Sequence, residues 1–168
     1  MALGRGIQNY TCTAVGAAPV AIGAIATLYD ATEMARSDPS ALNALSAAAV
    51  MTPPGKNNCF NLPPTSKLAR SGTHFFSADG TPTFVLNSNK SIQAKKNDSI
   101  KAPADAAKGP SGTGAVDWLQ LVAKPAPYVS VGISNLYRVE TAGGMQTATC
   151  ATVGTLSVQY AAEYWLYE

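Results

Sequence analysis

The sequence predicts a mainly β, single-domain fold: an antiparallel β-barrel or sandwich carrying one short helix. Three observations carry that expectation. Thr155 to Tyr167 places Leu156, Val158, Tyr160, Ala162, Tyr164 and Leu166 at alternate positions, the period of a strand with one buried face. Ala78-Asp79-Gly80-Thr81 is a turn signal between two short apolar runs. Strands do not alternate with long helices, which argues against a parallel doubly wound sheet. At 168 residues the chain is long enough for a hydrophobic core and is read as one domain, 1–168.

The elements follow in order. Gln8 to Thr13 reads as a first strand. Val20 to Tyr29 reads as a second, with Ala and Gly between its branched residues suiting close approach of a neighbour. The helix lies over Ala41 to Val50. Ser37 or Asp38 can cap it, Pro39 fits its first turn, and Leu42, Leu45 and Ala49 share a face. Pro53-Pro54-Gly55 ends it. Thr73 to Phe76 and Thr83 to Leu86 form a hairpin. Residues 87–114 are polar, rich in Lys, Ala, Pro and Gly, and read as a long surface loop. Ala115 to Ala123, Ile133 to Thr141 and Thr155 to Tyr167 complete the strands, with Ala142-Gly143-Gly144 turning the chain.

Charged residues make up 13% of the chain, against roughly 25% in average globular proteins. The net charge is +2 and the basic residues are scattered, so nucleic acid is not an expected partner. No apolar run reaches the ~18 residues of a membrane span. Met1-Ala2-Leu3-Gly4-Arg5 lacks the charged start and apolar stretch of a signal peptide, so Met1 reads as a start residue joined to a mature or trimmed chain. The sequons at Asn9, Asn89 and Asn97 fit export. Of three cysteines, one is left over by any single bridge. Cys59, in a Pro/Gly/Asn-rich loop, is the candidate free or intermolecular thiol. One His and three Cys without close spacing give no metal motif.

The polar residues form no recognisable catalytic constellation. His74, between Thr73 and two Phe, reads as packed in a strand. Asp117, Glu140 and Glu163 could pair as glycosidase-like carboxylates, but none sits in a recognisable constellation. Arg138 is expected on an exposed face, or paired with Glu140 or Glu163, and Trp118 as a core anchor. Tyr160, Tyr164, Trp165 and Tyr167 form an aromatic cluster for core and interface. If the last strand is a sheet edge, Tyr164, Trp165 and Tyr167 would pair two copies into a homodimer.

Several segments, in order and over nearly the whole chain, resemble a family of uncharacterised small secreted proteins common in ascomycete fungi and also present in bacteria. They are Gly6-Ile7-Gln8-Asn9-Tyr10-Thr11-Cys12, Gly72-Thr73-His74-Phe75 with Asp79-Gly80-Thr81-Pro82, and Val116-Asp117-Trp118-Leu119-Gln120-Leu121. Leu136 to Gly144, Thr149-Cys150 and Val158 to Tyr167 continue the series. The resemblance implies a compact, dimeric β-barrel similar in kind to the mould-allergen barrels, secretion, and an effector-like role at the plant interface. It also supports a Cys12–Cys150 disulfide between the first strand and the region before the last. Members often carry a malate dehydrogenase label. This sequence does not support it, because Gly4-Arg5-Gly6 is followed by Asn9 where the dinucleotide fingerprint needs glycine. No cofactor is expected.

Three function classes therefore stand. The first is a non-enzymatic extracellular protein that binds a host protein or cell-wall component. The second is a binding module or carrier for a small apolar ligand or glycan in a barrel cavity. The third is a hydrolase assembled from distant residues. The content of the barrel interior discriminates between them.

Overall fold

A computed structural model describes residues 1–55 and 60–168. Eight antiparallel strands close into a barrel in chain order: β1 (Ala2–Cys12), β2 (Val20–Asp30), β3 (Arg70–Phe76), β4 (Pro82–Leu86), β5 (Ser91–Ile100), β6 (Trp118–Ala123), β7 (Asn135–Gly143) and β8 (Gly154–Tyr167). β8 pairs with β7 on one side and with β1 on the other, so closure leaves no edge. Two helices, α1 (Thr32–Ser37) and α2 (Pro39–Met51), lie between β2 and β3 in sequence.

The alternation read in the last strand sets the layers. Val158, Tyr160, Ala162 and Tyr164 share the lumen face, and the last three cluster there with Leu28, Phe84, Ile92, Leu121 and Leu136. The opposite face of β7, β8 and β1 is covered by a second layer. Leu42, Ala49 and Val50 of α2 pack there with Leu3, Leu62, Ala142 and Ala161. The expected helix face is therefore the buried one. The Asp38 carboxylate caps α2 by accepting the Ala41 N–H at 2.9 Å, and Pro39 opens its first turn.

Arg5 fastens this layer. It is fully buried on the outer side of β1, beneath the C-terminus of α2. Its Nε donates to the Ala49 carbonyl at 2.6 Å, and Nη2 donates to the carbonyls of Thr52 at 2.8 Å and Val50 at 3.4 Å. It also bonds the Gly6 carbonyl and Gln159 Oε1, and its guanidinium lies 5.7 Å from the Phe60 ring centroid. Burial pulls its pKa from 12.5 down to about 10, so it stays ionised at neutral pH. The negative end of the helix dipole stands in for a carboxylate partner.

The structure corrects several expectations. The surface loop over 87–114 contains β5. Ile92 and Ala94 are buried in its lumen face, while Lys95, Lys96, Asn97 and Asp98 are exposed. A register shift between Lys96 and Asp98 breaks the alternation, which hides the strand from a period-2 reading. α1 was not expected. β1 begins at Ala2 because small residues let it pass close to its neighbours; a Cβ at Gly4 would strike the Tyr164 ring. Ala142 and Gly143 do not turn the chain but remain paired with β8. Gly143 has φ +62, and a Cβ there would lie 2.7 Å from the Gln159 carbonyl oxygen.

Cys12 and Cys150 are bonded, with Cα atoms 5.6 Å apart. The bridge joins the end of β1 to the segment before β8, as expected. Cys59 lies outside the described residues.

Candidate functional site

The lumen is filled. Tyr160, Tyr164, Phe84, Leu28, Ile92 and Leu136 are all fully buried there. His74 stacks on Phe84 with ring centroids 4.0 Å apart, and its Nδ1–H donates to the Thr83 carbonyl at 2.9 Å. The Tyr160 and Tyr164 hydroxyls are 2.9 Å apart. The packed-strand reading of His74 therefore holds. A depression of about 350 Å³ at the barrel end is lined by Ala2, Leu86 and Leu166 with polar Asp30, Thr32 and Asn87. It sits at the mouth, beside the filled lumen.

Other candidates move. Arg138 does not pair with Glu140 or Glu163. Register places it opposite Leu119 and Tyr164, so it faces the lumen, and its Nε and Nη2 donate to the Asp117 carbonyl at 3.2 and 2.8 Å. Tyr164 is not an interface residue, because it lies inside the barrel at 1% exposure. Trp165 is half-buried against the helix layer, and only Tyr167 of the three is exposed. The open-edge basis for a homodimer is removed by the β1–β8 pairing. Asn89 and Asn97 are exposed, whereas Asn9 is half-buried and accepts the Ser157 hydroxyl at 2.8 Å.

Trp118 is not a core anchor either. It pairs with Ile100 and sits half-buried on the outer wall, one residue before the lumen-facing Leu119. There it forms part of a cleft of about 270 Å³ under α2. Asn43, Ser46 and Ala47 of α2 form one side, Pro103 and Asp105 to Ala107 another, and Trp118 with Glu140, Thr141 and Ala142 of β7 the floor. Two features mark this cleft. β7 bulges between Val139 and Ala142, and Glu140 takes φ +46, a left-handed conformation rare outside glycine. Two buried donors also lack partners: the Ser46 hydroxyl, on a residue only 2% exposed, and the Trp118 indole N–H. A helical serine usually bonds a carbonyl one turn back; Ser46 does not. The mouth depression offers one comparable group, the Ser71 hydroxyl, on a less buried residue.

Of the carboxylates Asp117, Glu140 and Glu163, Asp117 is engaged at the surface by Lys101 at 3.1 Å. Glu163 lies beneath α2, next to the cleft and close enough to Glu140 to feel its charge. Trp165 Nε1 donates to Glu163 Oε2 at 3.0 Å, and the Asn43 amide nitrogen donates to Oε1 at 2.8 Å and to the Pro39 carbonyl at 3.0 Å. Glu163 thus grips the helix and is not part of the cleft lining. Ser46 and Asn43 could not be singled out from sequence, because a polar residue in an alanine-rich helix carries no period of its own.

Two buried groups give an opposed pH dependence. Burial holds His74 at about 4, below its ordinary 6.5. Between those values the unfolded chain binds a proton that the folded chain does not, so stability rises with pH. Burial pushes Glu163 from 4.5 up to about 7, and Glu140 adds to the rise while Trp165 opposes it. Over that window the folded chain keeps a proton that the unfolded chain releases, so stability falls with pH. The two slopes cancel through their overlap. Glu163→Gln unmasks His74: urea unfolding at stepped pH should show a gain on the order of 2 kcal/mol from mildly acidic to near-neutral pH, where the parent is flat. Parallel profiles for the two proteins would refute the Glu163 assignment, and a flat profile in Glu163→Gln would refute that of His74.

Fold and site together define a closed eight-stranded barrel with a filled lumen and a polar cleft on its outer wall. The chain belongs to a family of proteins of unknown function, DUF3455, whose sequence pattern matches residues 1–168. No curated protein and no solved structure shows significant similarity to it. Among the described residues, no helix is long and apolar enough to cross a membrane, and no cluster of three or more His, Cys, Asp or Glu side chains is placed to hold a metal ion.

Proposed function

We propose that this protein is a non-enzymatic, secreted binding protein that engages its target through the outer wall of the barrel, at the cleft under α2. The carrying observation is the pair of buried donors, Ser46 Oγ–H and Trp118 Nε1–H, left without partners at that cleft. An unsatisfied buried polar group costs about 1–3 kcal/mol, which a bound acceptor recovers. The bulge that turns Glu140 toward the same cleft adds an acceptor beside the two donors. The filled lumen disfavours a carrier that swallows an apolar ligand. Secretion is supported by the Cys12–Cys150 bridge, which persists in oxidising compartments. An effector-like role against a host or cell-wall target accords with the family resemblance.

A protein-observed NMR screen of small polar compounds against the full chain tests this reading. Hits should move the Ser46 amide, the Trp118 indole and the amides of residues 140–142, and should be recovered unchanged. Hits that move only His74, Phe84 and Tyr160, or that are turned over, would overturn it.

A further inference from the structure

We infer that the cleft under α2 is one half of a longer groove that binds a neutral oligosaccharide, with Trp118 as the floor shared by two sugar subsites. This rests on the outer-wall reading above. Trp118 borders a second cleft of about 180 Å³ on the outer face of β5, β6 and β7, together with Asp98, Ile100, Gln120, Tyr137 and Val139. Strand register explains the grouping. Ile100 pairs with Trp118, Asp98 with Gln120, and Gln120 with Tyr137, so these side chains share the outward face. Each cleft alone falls below the range of small-molecule sites, about 300–1,000 Å³, whereas the two joined at Trp118 fall within it.

The chemistry of the groove selects the ligand. Trp118 and Tyr137 offer aromatic surface for the C–H face of a sugar. The Gln120 amide is fixed, its Nε2 donating to the Tyr137 hydroxyl at 3.0 Å and its Oε1 accepting from Asn97 Nδ2 at 2.8 Å. Asp98, Asp105 and Glu140 supply acceptors, while Ser46 and the Trp118 N–H supply the unpartnered donors. A hydroxyl group both donates and accepts, so a polyhydroxylated ligand satisfies both sets. A simple amine would leave the donors unmet. An anionic ligand would face carboxylates, and among the described residues no lysine or arginine lines either cleft.

The test uses ¹⁵N-labelled full chain titrated with cellohexaose, chitohexaose and xylohexaose, their monosaccharides, and the anionic hexagalacturonate. The two indole cross-peaks, assigned with Trp165→Phe, are the readout. At least one neutral hexasaccharide should move the Trp118 indole and leave that of Trp165 in place. Its affinity should exceed that of its monosaccharide by about tenfold or more, and fall by about fivefold or more in Ser46→Ala and in Tyr137→Ser. Tyr137 is an exposed position, so that variant keeps the fold readable if Ser46→Ala does not. Equal affinity for hexamer and monosaccharide, indifference to both variants, or preference for hexagalacturonate would overturn the inference. If monosaccharides still move Ser46 and Trp118, the outer-wall reading survives that failure. Shifts confined to the lumen would end both.

Discussion

Arg5→Met should lower the unfolding free energy by about 3–4 kcal/mol, the largest loss expected from any charged position in the barrel. Among the described residues, the guanidinium alone reaches the carbonyls of Ala49, Val50 and Thr52 together. They cluster at the C-terminus of α2, where a helix leaves carbonyls without an intrahelical partner. Removing the donors strands the Val50 and Thr52 carbonyls, with Gln159 Oε1, beneath the helix layer, while the Ala49 carbonyl keeps the Thr52 N–H at 3.1 Å. Each stranded acceptor costs about 1–3 kcal/mol, partly offset because a buried cation no longer has to be desolvated. Arg5→Lys should recover little, since a single ammonium cannot span acceptors held by the planar fork. Urea unfolding at neutral pH measures this. A loss under about 1 kcal/mol for Arg5→Met would mean that α2 is held by apolar packing alone.

Loss of the Cys12–Cys150 bridge is the second large effect. The bond closes a loop of 138 residues, and the loop-closure entropy removed from the unfolded chain is worth roughly 4–5 kcal/mol. It sits where β1 and β8 end their pairing, at Cys12 opposite Gly154, so its removal frees both strand ends at the seam that closes the barrel. Cys12→Ser with Cys150→Ser should therefore lower the midpoint sharply, and most of the loss should reappear when the parent is unfolded in reductant. Backbone amides of Asn9 to Cys12 should then exchange faster than those of Ala2 to Gly6. If the parent's midpoint is the same with and without reductant, the bridge contributes nothing to stability.

How far the sequence reveals this fold depends on which residues carry a period. β8 is legible because its apolar residues alternate without interruption. The β3–β4 hairpin is legible because Asp79-Gly80 marks its turn. β5 is not, because its inward residues include a small alanine and its outward ones form a polar run, with the bulge at Asn97 shifting the phase. Trp118 and Tyr164 fail for a related reason. Period 2 says which residues share a face but not which face meets the lumen, and a closed barrel with a helix layer has two buried faces. Arg5, flanked by glycines, is conspicuous only as a failed dinucleotide fingerprint; its role depends on where α2 ends, which is a tertiary fact. The cleft brings together residues near 46, 105, 118 and 140, and no local spacing announces that set.

The proposed working surface is the outer wall at Ser46, Trp118 and Glu140. A high-resolution crystal structure of the chain, grown with a neutral hexasaccharide, tests it most directly. Ligand or ordered solvent should accept from both Ser46 Oγ and Trp118 Nε1, with the lumen filled by Phe84, Tyr160 and Tyr164. A closed cleft, with Ser46 turned onto its own helix carbonyl and the ligand seated inside the barrel, would contradict it.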